Sequence, residues 1–122
     1  MDWSKVTHFK QSEFMCKCGC GKADMDEGFI KKLDAVREYL GFPLKINSGY
    51  RCPDYNNAVS SSGFNGPHTT GKAADIGISY GEARTALTTL CLHFSGIAMM
   101  QKGEAKGRFI HVDTLAPRVW SY

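Results

Sequence analysis

Apolar residues recur at three- and four-residue steps from Phe29 through Ile30, Leu33, Val36, Tyr39 and Leu40, the stripe of an amphipathic helix over 26–40. Asp26 is the expected N-cap, and Gly41 with Pro43 stops the helix. Leu44–Ser48 then alternates as a half-buried strand, and residues 53–59 form a short helix entered through Pro53. Residues 73–78 alternate again, with Ala74, Ile76 and Ile78 on one face and Ala73, Asp75 and Gly77 on the other. Ser79-Tyr80-Gly81-Glu82 predicts a capping box. It opens a helix over 79–94 that carries Ala83, Ala86, Leu87, Leu90, Cys91 and Phe94, with Cys91 expected to be buried. Residues 96–100 and 108–113 read as two strands joined by the polar loop Lys102–Gly107 as a hairpin. In the last strand Ile110 and Val112 face one way, and Phe109, His111 and Asp113 the other. Helices mixed with antiparallel strands imply an α+β fold, a small single domain over 1–122 with a central antiparallel sheet and flanking helices.

Composition narrows the function classes. At 122 residues there is room for one core. A hydrophobic fraction of 43% and a charged fraction of 22% exclude a disordered or fibrous chain. Net charge is +3 with the basic residues scattered, too little to argue for a nucleic-acid partner. No apolar run approaches the ~20 residues of a membrane span. The start, Met-Asp-Trp-Ser-Lys-Val-Thr-His, lacks the pattern of a secretory signal. No membrane insertion and a monomer are therefore expected. Of five cysteines, Cys16, Cys18 and Cys20 alternate with single spacers, which does not match zinc-finger spacing. A disulfide or small metal clip joining this segment to Cys52 and free thiols in a reduced compartment both stay open.

The histidines carry the chemistry. His68 follows Gly66-Pro67 in a turn, Asp75 lies seven positions later on the next strand, and His111 projects from the polar face of the last strand. Two imidazoles and one carboxylate suit a catalytic zinc that keeps a fourth position open for water. Spacing alone only suggests this, since a His or Asp taken singly is more often structural. His8 and His93 read as structural residues.

The segment Gly66-Pro67-His68-Thr69-Thr70-Gly71-Lys72-Ala73-Ala74-Asp75-Ile76 resembles the His-x-x-Gly-x-Ala-x-Asp signature of the zinc D-Ala-D-Ala carboxypeptidase and L-alanyl-D-glutamate endopeptidase family. Phe109-Ile110-His111-Val112-Asp113 resembles its second metal segment, and Ser48-Gly49-Tyr50-Arg51 its substrate-side arginine motif, in the same order. The Cys16–Gly21 stretch and Arg118-Val119-Trp120 are similar to a compact branch found in phage and prophage cell-wall peptidases. The resemblance runs from about His8 to Trp120.

This resemblance implies a hedgehog/DD-peptidase fold and a zinc metallopeptidase of the endolysin type. The reaction would be hydrolysis of an amide bond in peptidoglycan stem peptides, either D-Ala–D-Ala or L-Ala–D-Glu. His68, Asp75 and His111 become the Zn2+ ligands, and Arg51 the group that binds a substrate carboxylate or steadies the oxyanion, an ordinary ion pair being its other reading. Tyr50 beside it is a candidate for the groove. Gly71 supplies the turn into the strand, and the small Ala73 leaves room beside a metal. Three positions depart from the family: Gly66 stands where many relatives have Ser, Arg108 where many have a glutamate that acts as the base toward water, and Phe109 where others have His. The general base therefore falls to Asp113, whose other reading is to orient His111, or to Glu104 in the hairpin loop. Trp120 and Tyr122 cover the sheet or line the groove, with core packing favoured for Trp120. A phage or prophage origin fits cytoplasmic synthesis and action on the wall after release. Two other classes remain: a non-catalytic zinc-containing cell-wall-binding module of the same fold, and a metal or redox protein centred on Cys16, Cys18, Cys20 and Cys52.

Overall fold

The computed structural model describes residues 1–122. Three helices, α1 (Glu27–Leu40), α2 (Pro53–Val59) and α3 (Tyr80–His93), accompany five strands, β1 (Lys45–Ser48), β2 (Ala73–Gly77), β3 (Gly96–Met100), β4 (Phe109–Asp113) and β5 (Arg118–Ser121). The strands form one sheet in the order β1-β2-β4-β3-β5. Every pairing is antiparallel except that of β5, which runs parallel to β3. This is the expected α+β architecture, with the two strands that carry Asp75 and His111 as neighbours in the sheet interior.

Local chemistry accounts for the boundaries. The Asp26 carboxylate accepts the Phe29 N–H at 2.9 Å, and Gly41 ends α1 in the left-handed region at φ 76°. The packed stripe of α1 is Phe29, Ile30, Leu33 and Val36, all buried. Tyr39 falls outside it and is 79% exposed. These side chains share one core with Ala83, Ala86 and Leu90 of α3 and with Ala74, Ile76, Ile97, Ile110 and Val112 from the sheet. Each buried Ile, Leu or Phe contributes about 1.5–3 kcal/mol.

Two details of α3 differ from expectation. The Ser79 side chain makes no capping hydrogen bond, because the chain enters the helix through Tyr80 at φ 51°, a left-handed angle for a bulky residue. Cys91 is exposed. The inward face is set by Ala83, Ala86 and Leu90, and a rotation of about 100° per residue carries the position after Leu90 around the side.

The N-terminal arm is fixed to this frame. The Asp34 carboxylate accepts the N–H groups of Thr7 and His8 at 2.9 and 2.8 Å. Phe14 is fully buried against Phe9 and Trp3, and its carbonyl accepts the Tyr50 N–H at 2.9 Å. The arm thereby holds the loop that follows β1.

Candidate metal centre

The register of β2 and β4 places Asp75 directly opposite His111. Strand alternation turns both away from the core face that holds Ile76 and Ile110. His68 arrives from a 3-10 turn over Pro67–Thr70 that closes at Gly71, φ 74°. A Cβ there would meet the Asp24 carbonyl oxygen at 2.1 Å, so the turn that delivers His68 beside β2 needs glycine. Ligand atoms of His68, Asp75 and His111 all lie within 4.8 Å of one another, and all three residues are buried.

Hydrogen bonding decides which nitrogens are free. His68 Nδ1 lies 2.8 Å from the Gly49 carbonyl oxygen and must donate to it, which leaves Nε2 facing Asp75 Oδ1 at 3.4 Å. His111 is flanked by carboxylates on both sides: Nδ1 is 2.9 Å from Asp75 Oδ1 and Nε2 is 2.8 Å from Asp113 Oδ2. A neutral imidazole has only one N–H. One of these contacts therefore requires an extra positive charge, either a second ring proton or a cation seated between His111 and Asp75. Burial opposes charge on His111, but the bonds to Asp113 and Asp75 outweigh it and raise its pKa. Burial likewise pushes the Asp75 carboxyl up, and the two imidazoles hold it well below the usual carboxylate range. Two imidazole nitrogens and a carboxylate oxygen, each ring braced through its other nitrogen, are a donor set that fits zinc.

Asp113 is fully buried. Besides His111 it receives a bidentate grip from Arg118, at 3.0 and 2.7 Å, and the Leu115 N–H at 3.1 Å. Burial raises its pKa, but these donors prevail and hold it at about 2.

Arg51 is presented by β1 and α2. Its Nε donates to Ser48 Oγ at 3.1 Å and its Nη1 to Asn56 Oδ1 at 3.1 Å, while Nη2 lies 3.6 Å from Asp75 Oδ2. Asn56 is itself fully buried and donates to Ser62 Oγ at 2.9 Å and the Gly63 carbonyl at 2.5 Å. A cavity of about 310 Å³ opens over Arg51, His68, Asp75 and His111. Ser60, Ser61 and Ser62 add hydroxyls to its lining, and Phe109, Trp120 and Tyr122 form an aromatic wall. The Trp120 ring sits 5.2 Å from that of His111.

The three residues expected at the centre and the expected arginine are thus gathered at one cavity. Three other candidates are not. Tyr50 is buried in the hydrophobic core. Glu104 stands in solvent, paired with Lys106. Asp113 lies behind His111, outside the cavity lining, and a carboxylate with so low a pKa is a poor proton acceptor. Trp120 belongs to the cavity wall rather than the core. His8 pairs with Glu38, and His93 ends α3 at the surface. The sequence assigns no site role to Asn56 or Arg118: Asn56 is one of several polar residues in a seven-residue helix too short for a periodic signature, and Arg118 reaches Asp113 across a turn that spacing does not reveal.

No curated protein matches the chain significantly. A family model described as Peptidase M15 matches residues 7–113, a span that contains His68, Asp75, His111 and Asp113. By its motifs, its sheet and this match over most of its length, the chain belongs to the peptidase M15 family.

Proposed function

We propose that the protein is a zinc-dependent peptidase that cleaves an amide bond in peptidoglycan stem peptides. The observation that carries this reading is the convergence of His68, Asp75 and His111 within 4.8 Å on the floor of a cavity that also presents Arg51. His68 through Nε2, Asp75 through a carboxylate oxygen and His111 through Nδ1 would hold the ion. When bound, zinc supplies a Lewis acid for the scissile carbonyl and lowers the pKa of water toward ~7.

The remaining work falls to the chain. Stem peptides carry free carboxylates on D-Glu and on the terminal D-Ala, and the Arg51 fork matches such a group. Ser48 and Asn56 fix the plane of that fork. The wall of Phe109, Trp120 and Tyr122 keeps bulk water from one side of the peptide. Asp113 accepts the His111 Nε2 proton and so aims Nδ1 at the ion, which makes it a positioning residue, with Arg118 holding it in place.

One observation favours a second reading, a zinc-containing module that binds wall peptides without cutting them. Asp75 is the sole acidic side chain in the cavity lining, so no separate one stands ready to take a proton from water. Mass spectrometry of purified peptidoglycan fragments after incubation separates the two. New amino termini at D-Ala–D-Ala or L-Ala–D-Glu, lost with chelator and in His68→Ala, are the expected outcome. Stoichiometric binding without new termini would establish the module, and neither binding nor cleavage would overturn both.

A further inference from the structure

Cys16, Cys18, Cys20 and Cys52 have no part in that reading, and none of them lines the cavity. Their Sγ atoms nevertheless all lie within 4.8 Å of one another. Cys18 Sγ is 3.4 Å from that of Cys16 and 3.6 Å from that of Cys52. A zinc–thiolate bond of about 2.3 Å gives a regular tetrahedron an edge of about 3.8 Å. The separations from Cys18 are close to that edge, and the common bound puts Cys20 within reach of the fourth corner, a grouping made by a short alternating loop and a residue more than thirty positions away.

The backbone around Cys16 is suited to a thiolate. The Cys52 N–H points at Cys16 Sγ at 3.3 Å. The Cys18 backbone also favours the Cys16 thiolate. Burial pushes the Cys16 thiol up, but these donors bring it down to about 7. At Cys18 the Cys20 backbone lowers the thiol, but the side chains of Cys20, Cys16 and Cys52 outweigh it and push it up to about 12, so this cluster gives up its protons in full only to a cation.

We propose that Cys16, Cys18, Cys20 and Cys52 form a closed tetrathiolate site for a structural zinc ion, separate from the His68–Asp75–His111 centre. Four S–H groups lose their protons to solvent and four sulfur–metal bonds form, with no change of oxidation state. Four protein ligands leave no open position, which marks the site as structural. Its effect is local and directed. Cys52 adjoins Arg51, whose N–H donates to the His68 carbonyl at 3.1 Å. Binding would clamp the 16–20 loop to the segment that presents Arg51 and braces His68. Cys91, exposed on α3, stands outside the cluster and serves as an internal control.

The test uses the full chain carrying His68→Ala, purified from zinc-containing medium. Elemental analysis is expected to find one zinc per chain, whatever the wild type holds, so failure of the peptidase reading would leave this result intact. Cobalt in its place should give an intense thiolate-to-metal charge-transfer band. A thiol reagent should label Cys91 alone at first, and all five cysteines after chelator is added. A Cys18→Ser/Cys20→Ser variant should lose the metal. If that variant does not fold, the metal content, cobalt spectrum and labelling of the His68→Ala chain still decide. A metal-free chain with five reactive thiols, or an intact mass showing disulfides among the four, would overturn the proposal.

Discussion

His111 sits between two acids with different tasks. Asp75 faces the ring nitrogen proposed to hold the metal, while Asp113 faces the other and is itself gripped by Arg118. Changing Asp113 to Asn keeps the shape but removes the charge that strengthens the imidazole as a donor. Zinc affinity, measured by competition with a chromophoric chelator, should fall about 10–100-fold. Unchanged affinity would mean that Asp113 does not act through His111. Strand alternation alone put His111 and Asp113 on one face, so their proximity was legible in the sequence. Which nitrogen each acid takes was not, because that depends on the Gly49 carbonyl and on Arg118, both brought in by tertiary structure.

At the scale of elements, α1 and α2 were legible almost to the residue because their ends carry chemical punctuation: the Asp26 cap, Gly41 and Pro53. β5 was not. It has four residues and pairs parallel at the sheet edge, so nothing in its own pattern announces it. The β3–β4 pairing also carries a steric requirement. Gly96 lies opposite Asp113, and a Cβ on it would come within 2.0 Å of Asp113 Oδ1. Gly96→Ala must displace either the strand or the carboxylate. Urea unfolding of the metal-free variant should show a loss of about 1–3 kcal/mol, and an unperturbed midpoint would show that β3 yields without strain.

Across the whole molecule, the core and the site occupy opposite faces of the same sheet, so that Ile110 and Val112 pack the helices while their neighbour His111 faces the cavity. Three proposed ligands drawn from a turn and two strands would make metal binding at this centre a property of the folded state alone. In the Cys18→Ser/Cys20→Ser chain, which keeps only this site, zinc at about 100 times its Kd should add about 2.7 kcal/mol and raise Tm by about 10 °C over the chelated protein, read by calorimetry. No shift would mean that the folded chain does not prefer the ion. The loop after β1 shows what else depends on the fold as a whole. Gly49 holds the His68 ring, Tyr50 is tied to Phe14, Arg51 reaches Asp75 and Cys52 touches Cys16. Anyone grafting this centre onto another scaffold would have to transplant the amino-terminal arm along with the strands, because four consecutive peptide units there take their bearings from both.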